Sequence, residues 1–215
     1  MSKELQNLRF LTPEEVNPPP GVPTGVKALD QFLLWNGFPK SAVSLLVSPV
    51  GMGATTLWLQ AAHHTTQQKL WTAWVNGPES QLTPWSLRHR QVDRSKLLWV
   101  QNPCDLQQTL WALQELMSLS LFELIGCDLG DQSLKEHQIL KLKKMCLQNK
   151  TALVFISSST RALKSSFYSL ILNFTKSKIV IERALHKPTP TSIERRQLYA
   201  DTLPQLAAGR KALCG

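Results

Sequence analysis

Residues 42–47, AVSLLV, form an apolar run too short for a helix, and SPVGMGATT leads from it directly into a helical pattern, LWLQAAHHTT. A brief run without alternation, bounded by turn residues, marks a strand buried on both faces, which is the environment of a parallel sheet. Parallel strands cannot be joined by a tight turn; each needs a crossover, usually a helix. The same unit recurs along the chain. LWTAWVN at 70–76 predicts a second strand, and TPWSLRHRQ at 83–91 a helix entered through an N-cap threonine and a proline at its first position. KLLWVQ at 96–101 is a third strand, DLQQTLWALQELMSLS at 105–120 a helix capped by Asp105, and LFELIGCD at 121–128 a fourth strand.

SLKEHQILKLKKMCLQNK at 133–150 predicts a helix capped by Ser133 with Glu136 three residues on, and TALVFISSS at 151–159 a fifth strand. Beyond it the pattern changes to a helix around 164–174, then SKIVIERAL and SIERRQLYA, which HKPTPT joins as a β-hairpin. These readings define an α/β fold: a mainly parallel twisted sheet with helices on both faces and a C-terminal β-hairpin at one edge. One domain over 21–200 suffices, after a leader at 1–20 that ends in three prolines and before a short tail at 201–215.

Composition narrows the class. No apolar run approaches the roughly 20 residues needed to cross a bilayer, and the polar start lacks a secretory core, so a cytoplasmic protein is expected. Cys104, Cys127, Cys146 and Cys214 are widely spaced, and His63 and His64 stand side by side, so neither a disulfide framework nor a metal site is expected. Charge is divided unevenly. Residues 1–134 carry 9 basic and 11 acidic side chains, whereas residues 135–215 carry 15 and 4. The C-terminal part therefore faces a polyanion or an acidic protein, or else presents a solvated lysine-rich surface.

The strand–loop–helix at 42–65 occupies the place of a phosphate-binding loop, G-x-x-x-x-G-K-[ST], whose amides cradle phosphates and whose lysine reaches the β and γ phosphates. Gly53 is the final glycine, and Thr55 and Thr56 are the hydroxyl positions, but Ser48 replaces the first glycine and Ala54 the lysine. Removing that cation removes a large part of the charge stabilisation on which phosphoryl transfer depends. Gly51 and Gly53 still form an anion nest at a helix N-terminus, sufficient for weak binding of ATP with magnesium; the competing reading is a strand–turn–helix without ligand. Asp128 is either a magnesium-holding carboxylate or the polar end of a buried strand. Glu79 is either a water-activating carboxylate or an exposed turn residue. Ser157, Ser158 and Ser159 stand where a glutamine sensing the γ-phosphate is sought, and serine is too short for that role. A non-catalytic chain with no resident cofactor is expected.

GVPTGVKALDQFLLWNGFPKSAVSLLVSPVGMGATTLWLQ resembles the entry to the RecA-like superfamily, with matches at Gly21, Pro23, Thr24, Gly25, Leu29 and Asp30. Within it, KLLWVQNPCDLQQTLWALQELMSLSLFELIGCD is similar to the ImuA (SulA-like) proteins of bacterial mutagenesis cassettes. The resemblance implies an SOS-induced accessory factor for translesion DNA synthesis. Its implied partners are an inactive Y-family polymerase homologue (ImuB-like), an error-prone polymerase of the replicative DnaE type, and RecA. Two rival readings stand beside it. One is a RecA- or RadA-type DNA-dependent ATPase that takes its lysine from elsewhere, for example Lys40 or a neighbouring subunit. The other is a SulA-like cell-division inhibitor.

The candidate contacts with DNA or a protein partner are mostly basic. Lys135, Lys141, Lys143, Lys144 and Lys150 lie on one predicted helix, where phosphate contacts would give salt-dependent affinity without sequence specificity. Arg161, Lys164, Phe167, Tyr168, Lys176 and Lys178 mix cations with aromatics as single-strand binders do, or else Phe167 and Tyr168 are core. Arg195 and Arg196 in the hairpin and Arg210 and Lys211 in the tail suit an acidic partner. Six tryptophans, Trp58, Trp71, Trp74, Trp85, Trp99 and Trp111, are read mostly as core, and Trp35, beside Asn36-Gly37, as an exposed interface anchor.

Overall fold

A computed structural model describes residues 21–77, 82–101, 103–184 and 191–200. The leader, the tail with Arg210, Lys211 and Cys214, and Glu79 lie outside the described residues. The chain runs α1 (Lys27–Asp30), β1 (Ala42–Val47), α2 (Ala54–Gln67), β2 (Trp71–Val75), α3 (Pro84–His89), β3 (Leu97–Val100), α4 (Leu106–Ser118) and β4 (Phe122–Asp128). It continues through α5 (Glu136–Asn149), β5 (Ala152–Ser157), β6 (Leu170–Phe174), β7 (Lys178–Ala184), β8 (Thr191–Glu194) and α6 (Gln197–Ala200).

The strands form a single sheet in the order β3-β2-β4-β5-β1-β6-β7-β8. β1 to β6 pair in parallel, and β7 and β8 add antiparallel strands at one edge. Every residue of β1 and β5 is buried, as their unbroken apolar runs require of central strands. One face packs Leu29, Leu57, Trp58, Ala61 and Leu87 from α1, α2 and α3 onto the sheet. The other packs Leu110, Leu113 and Met117 of α4 with Ile139, Leu142 and Cys146 of α5. Residues 96–128 hold β3, the strand at one edge of the sheet, followed by α4 and the inner strand β4.

Local chemistry sets most boundaries as expected. Thr83 Oγ1 accepts the Ser86 amide at 3.2 Å, and Asp105 Oδ1 accepts the Gln108 amide at 2.8 Å, so both caps form. The motif around Thr24 is a clasp: its amide and hydroxyl both donate to Asp30 Oδ1, at 3.0 and 2.7 Å. Burial pushes the Asp30 carboxyl above its usual range, and these hydrogen bonds oppose the shift.

Four expectations are corrected. Ser133 does not cap α5; the helix starts at Glu136, and Gln138 Oε1 takes the Lys135 amide at 2.8 Å. Residues 164–174 are not a helix. A 3-10 turn, Thr160–Lys164, leads to β6, whose register on β1 runs from Ser44↔Leu170 to Val47↔Asn173. LILNF is nearly as apolar as AVSLLV and has no polar face to turn outward, so the open edge of β1 takes it as a strand. The segment SIERRQLYA keeps strand character only to Glu194, then turns into α6. Finally, the tryptophans divide differently. Trp35 is buried at 7 % exposure, because residues 21–22 cross the turn before β1 and pair there, with the Gly21 amide on the Trp35 carbonyl at 2.9 Å. Trp58 and Trp74 are core, but Trp85 and Trp111 are 70 % and 64 % exposed.

Tyr168 is buried, as its core reading requires, and Phe167 packs partly against the same layer. Cys127 and Cys146 are buried and Cys104 is exposed. Burial pushes the Cys146 thiol up to about 12, so it stays protonated and unreactive at neutral pH. A thiol reagent is therefore expected to modify Cys104 in the native protein and to reach Cys127 and Cys146 only after unfolding. Peptide mapping of the labelled chain checks this, and rapid native labelling of Cys146 would contradict it.

Candidate functional site

The loop after β1 is tethered before it turns. The Ser48 amide donates to the Ser157 carbonyl at 2.9 Å, and the Ser48 hydroxyl donates to the Pro49 carbonyl at 3.0 Å. The Met52 amide closes a turn onto the Pro49 carbonyl at 3.2 Å. Gly51 and Gly53 adopt φ values of 78° and 102°, a region that favours glycine. α2 then starts at Ala54, with no side-chain cap and no acidic residue in its first turn. The turn therefore leads into first-turn amides that no side-chain cap occupies.

This turn borders a cavity of about 420 Å³. Gly51, Gly53, Thr55, Thr56 and Asp128 all line it, so the structure brings together all five residues predicted for nucleotide binding. Asp128, at the end of β4, accepts the Gly130 amide at 2.9 Å on Oδ1. Ser158 also lines the cavity, whereas Ser157 is buried and ties the end of β5 to the loop after β4 by donating to the Gly130 and Gln132 carbonyls. Ala54 is buried and brings no charge.

The remaining wall comes from residues that sequence reasoning did not assign to the site. Trp85, His89 and Arg90 approach from α3, and Tyr199 from α6. Trp85 stacks on His89, with ring centroids 4.9 Å apart, and the Arg90 guanidinium lies 5.9 Å from the Tyr199 ring centre. Burial lowers the Arg90 pKa, yet a guanidinium remains charged at neutral pH. Gln60 Nε2 donates to the Leu198 carbonyl at 2.6 Å, Leu198 is fully buried, and the Arg195 guanidinium reaches the Met52 sulfur. Among the described residues lining the cavity none is lysine, and the arginine is Arg90, which follows α3. In the sequence, Trp85 followed by Arg88-His89-Arg90 was the signal on offer, and it matches no motif.

Lys40 does not replace the missing lysine within the chain. It forms an ion pair with Glu123 at the start of β4, at the opposite end of the sheet from the loop. The six residues of β1 that separate the two ends span about 20 Å.

The predicted basic contacts are dispersed. Lys141 borders a groove between α4 and α5, and Lys143 and Lys144 lie further along α5. Lys164 ends the 3-10 turn beside the start of α5. Lys176, Arg195 and Arg196 surround a shallow depression next to Tyr199, where Arg196 pairs with Glu194. Trp35 joins none of these groups. Among the described residues, no helix is long and apolar enough to cross a membrane.

No protein-family profile and no curated protein matches the sequence. Among solved structures, the chain is similar to a crystal structure of the RadB recombinase, with a TM-score of 0.64 and 19 % identity. The match covers 80 % of this chain and 94 % of that one. At such low identity the likeness speaks to architecture alone. The chain has the RecA-like fold.

Proposed function

We propose that this protein is a non-catalytic accessory factor of the bacterial SOS response, supporting error-prone translesion DNA synthesis through contacts with other proteins. The observation that carries the non-catalytic reading is Ala54, buried at the helix start where a phosphate loop places its lysine. The cavity's own cation, Arg90, is held against Tyr199 rather than presented by the loop. Phosphoryl transfer depends on charge positioned against the transferring group, and this arrangement lacks the usual source. The mutagenesis assignment is supported by the resemblance of residues 96–128 to ImuA proteins. The partners it suggests are an ImuB-like inactive polymerase, a DnaE-type polymerase and RecA. The dispersed basic groups suit several separate contacts better than one continuous track for DNA.

Pure protein is expected to hydrolyse ATP no faster than buffer, with or without single-stranded DNA. Turnover above buffer that Asp128→Asn abolishes would overturn the non-catalytic reading and favour a DNA-dependent ATPase. Co-purification from DNA-damaged cells tests the second part. Recovery of polymerase-related proteins is expected; recovery of a division protein alone would favour division inhibition.

A further inference from the structure

We infer that the groove between α4 and α5 is a docking site for an acidic amphipathic segment of a partner protein, with an apolar side chain of that segment seated against Trp111. The groove encloses about 620 Å³. Leu106, Leu110 and Leu142 give it an aliphatic lining, and Trp111 stands beside them at 64 % exposure. A tryptophan left this open on a helix that otherwise buries its apolar residues is an unusual use of the residue, and tryptophan is the side chain most enriched at binding hot spots.

Charge selects the partner. Lys135, His137 and Lys141 are exposed along the groove, and among the described residues no aspartate or glutamate lines it. Lys141 is directed across it, donating to Gln114 of α4 at 2.5 Å. The neighbouring carboxylates, Asp105, Glu115 and Glu136, are not part of the lining. On the outer surface of α5, Leu140 and Leu147 are 48 % and 66 % exposed, two turns apart on one face, with Lys144 between them. Cations bordering an apolar trough complement a helix with leucines or aromatics on one face and carboxylates beside them. Single-stranded nucleic acid fits less well, because its binders stack successive bases on several aromatics, and this groove offers one.

This surface rests on the reading that the chain works through protein contacts, but it does not depend on the mutagenesis assignment. ATP turnover would overturn the non-catalytic reading and leave the groove untouched.

The test uses the full chain and a fluorescently labelled synthetic amphipathic peptide of glutamate and leucine with one central phenylalanine, followed by fluorescence anisotropy. Saturable binding is expected, weakened about tenfold or more by Trp111→Ala and by Lys141→Glu with Lys144→Glu. A peptide with lysine in place of glutamate is expected not to bind. Both variants replace exposed residues, so unchanged circular dichroism and melting separate a lost contact from a lost fold. Hydrogen exchange is expected to show protection on α4 and α5 when the acidic peptide is bound. Absence of binding, or binding unchanged by Trp111→Ala, overturns the proposal. So does tighter binding of oligo-dT that the same variant abolishes, or a dimer in solution that Trp111→Ala converts to monomer.

Discussion

Gly126→Ala is expected to destabilise the protein by about 3 kcal/mol, the upper part of the range for overpacking a core. A methyl group at this position in β4 would lie 2.3 Å from Trp58 Nε1, 2.4 Å from Trp58 Cε2 and 2.6 Å from Trp74 Cε3. Neither indole can yield easily. Both are fully buried, with ring centroids 4.5 Å apart and planes inclined at 57°. Trp58 sits in the second turn of α2, so moving it displaces the helix that starts at the phosphate-binding loop. For a domain of this size the loss corresponds to a melting temperature lower by about 6–12 °C. Thermal denaturation followed by circular dichroism measures it, and a shift within about 2 °C would show that the tryptophans repack at little cost.

Replacement of Asn76 by leucine should have a similar effect through a different cause. Asn76 Oδ1 accepts two indole N–H groups, from Trp74 at 2.8 Å and from Trp99 at 3.0 Å. Leucine conserves the shape and removes the acceptor. The Trp74 donor is fully buried, so leaving it unpaired costs about 1–3 kcal/mol. Trp99 is only half-buried and regains part of its hydrogen bond from water, so its share is smaller. A total loss of about 2–4 kcal/mol is expected, read as a lower urea midpoint with an unchanged slope. An unaltered midpoint would mean that the paired indoles contribute nothing net.

Much of this architecture was legible because short-range rules decide it. Thr83-Pro84 and Asp105 announce their helices, and AVSLLV can only be a strand buried on both faces. Gly51, Gly53, Thr55 and Thr56 share one cavity because they are neighbours in a single turn and helix start, and Asp128 joins them because β4 ends at the same side of the parallel sheet as β1. What escaped was decided at long range. LILNF became a strand because β1 had an open edge, a fact of the sheet rather than of the segment. Trp35 is covered by Gly21 and Val22 only once the turn at Phe38 has formed, since Val22 and Phe38 exchange backbone hydrogen bonds. Trp111 lies in a pattern that is amphipathic either way, so exposure was decided by where α5 packs. Tyr199 reached the cavity through contacts such as Gln60 with Leu198, 138 residues apart in sequence.

That last contact has a thermodynamic consequence. α6 and the loop after β1 share a wall: an added Cβ at Gly53 would lie 3.1 Å from Leu198 Cδ1 and 3.4 Å from the Tyr199 hydroxyl. A ligand that needs the space Tyr199 occupies must turn that side chain aside or carry α6 with it, and its affinity is reduced by the free energy of that movement. Linkage is reciprocal, so any partner that fastens α6 in place excludes such a ligand by the same factor by which the ligand would weaken the partner's grip. A ligand in that space and a partner on α6 would then be coupled through the contact of Leu198 and Tyr199 with the loop.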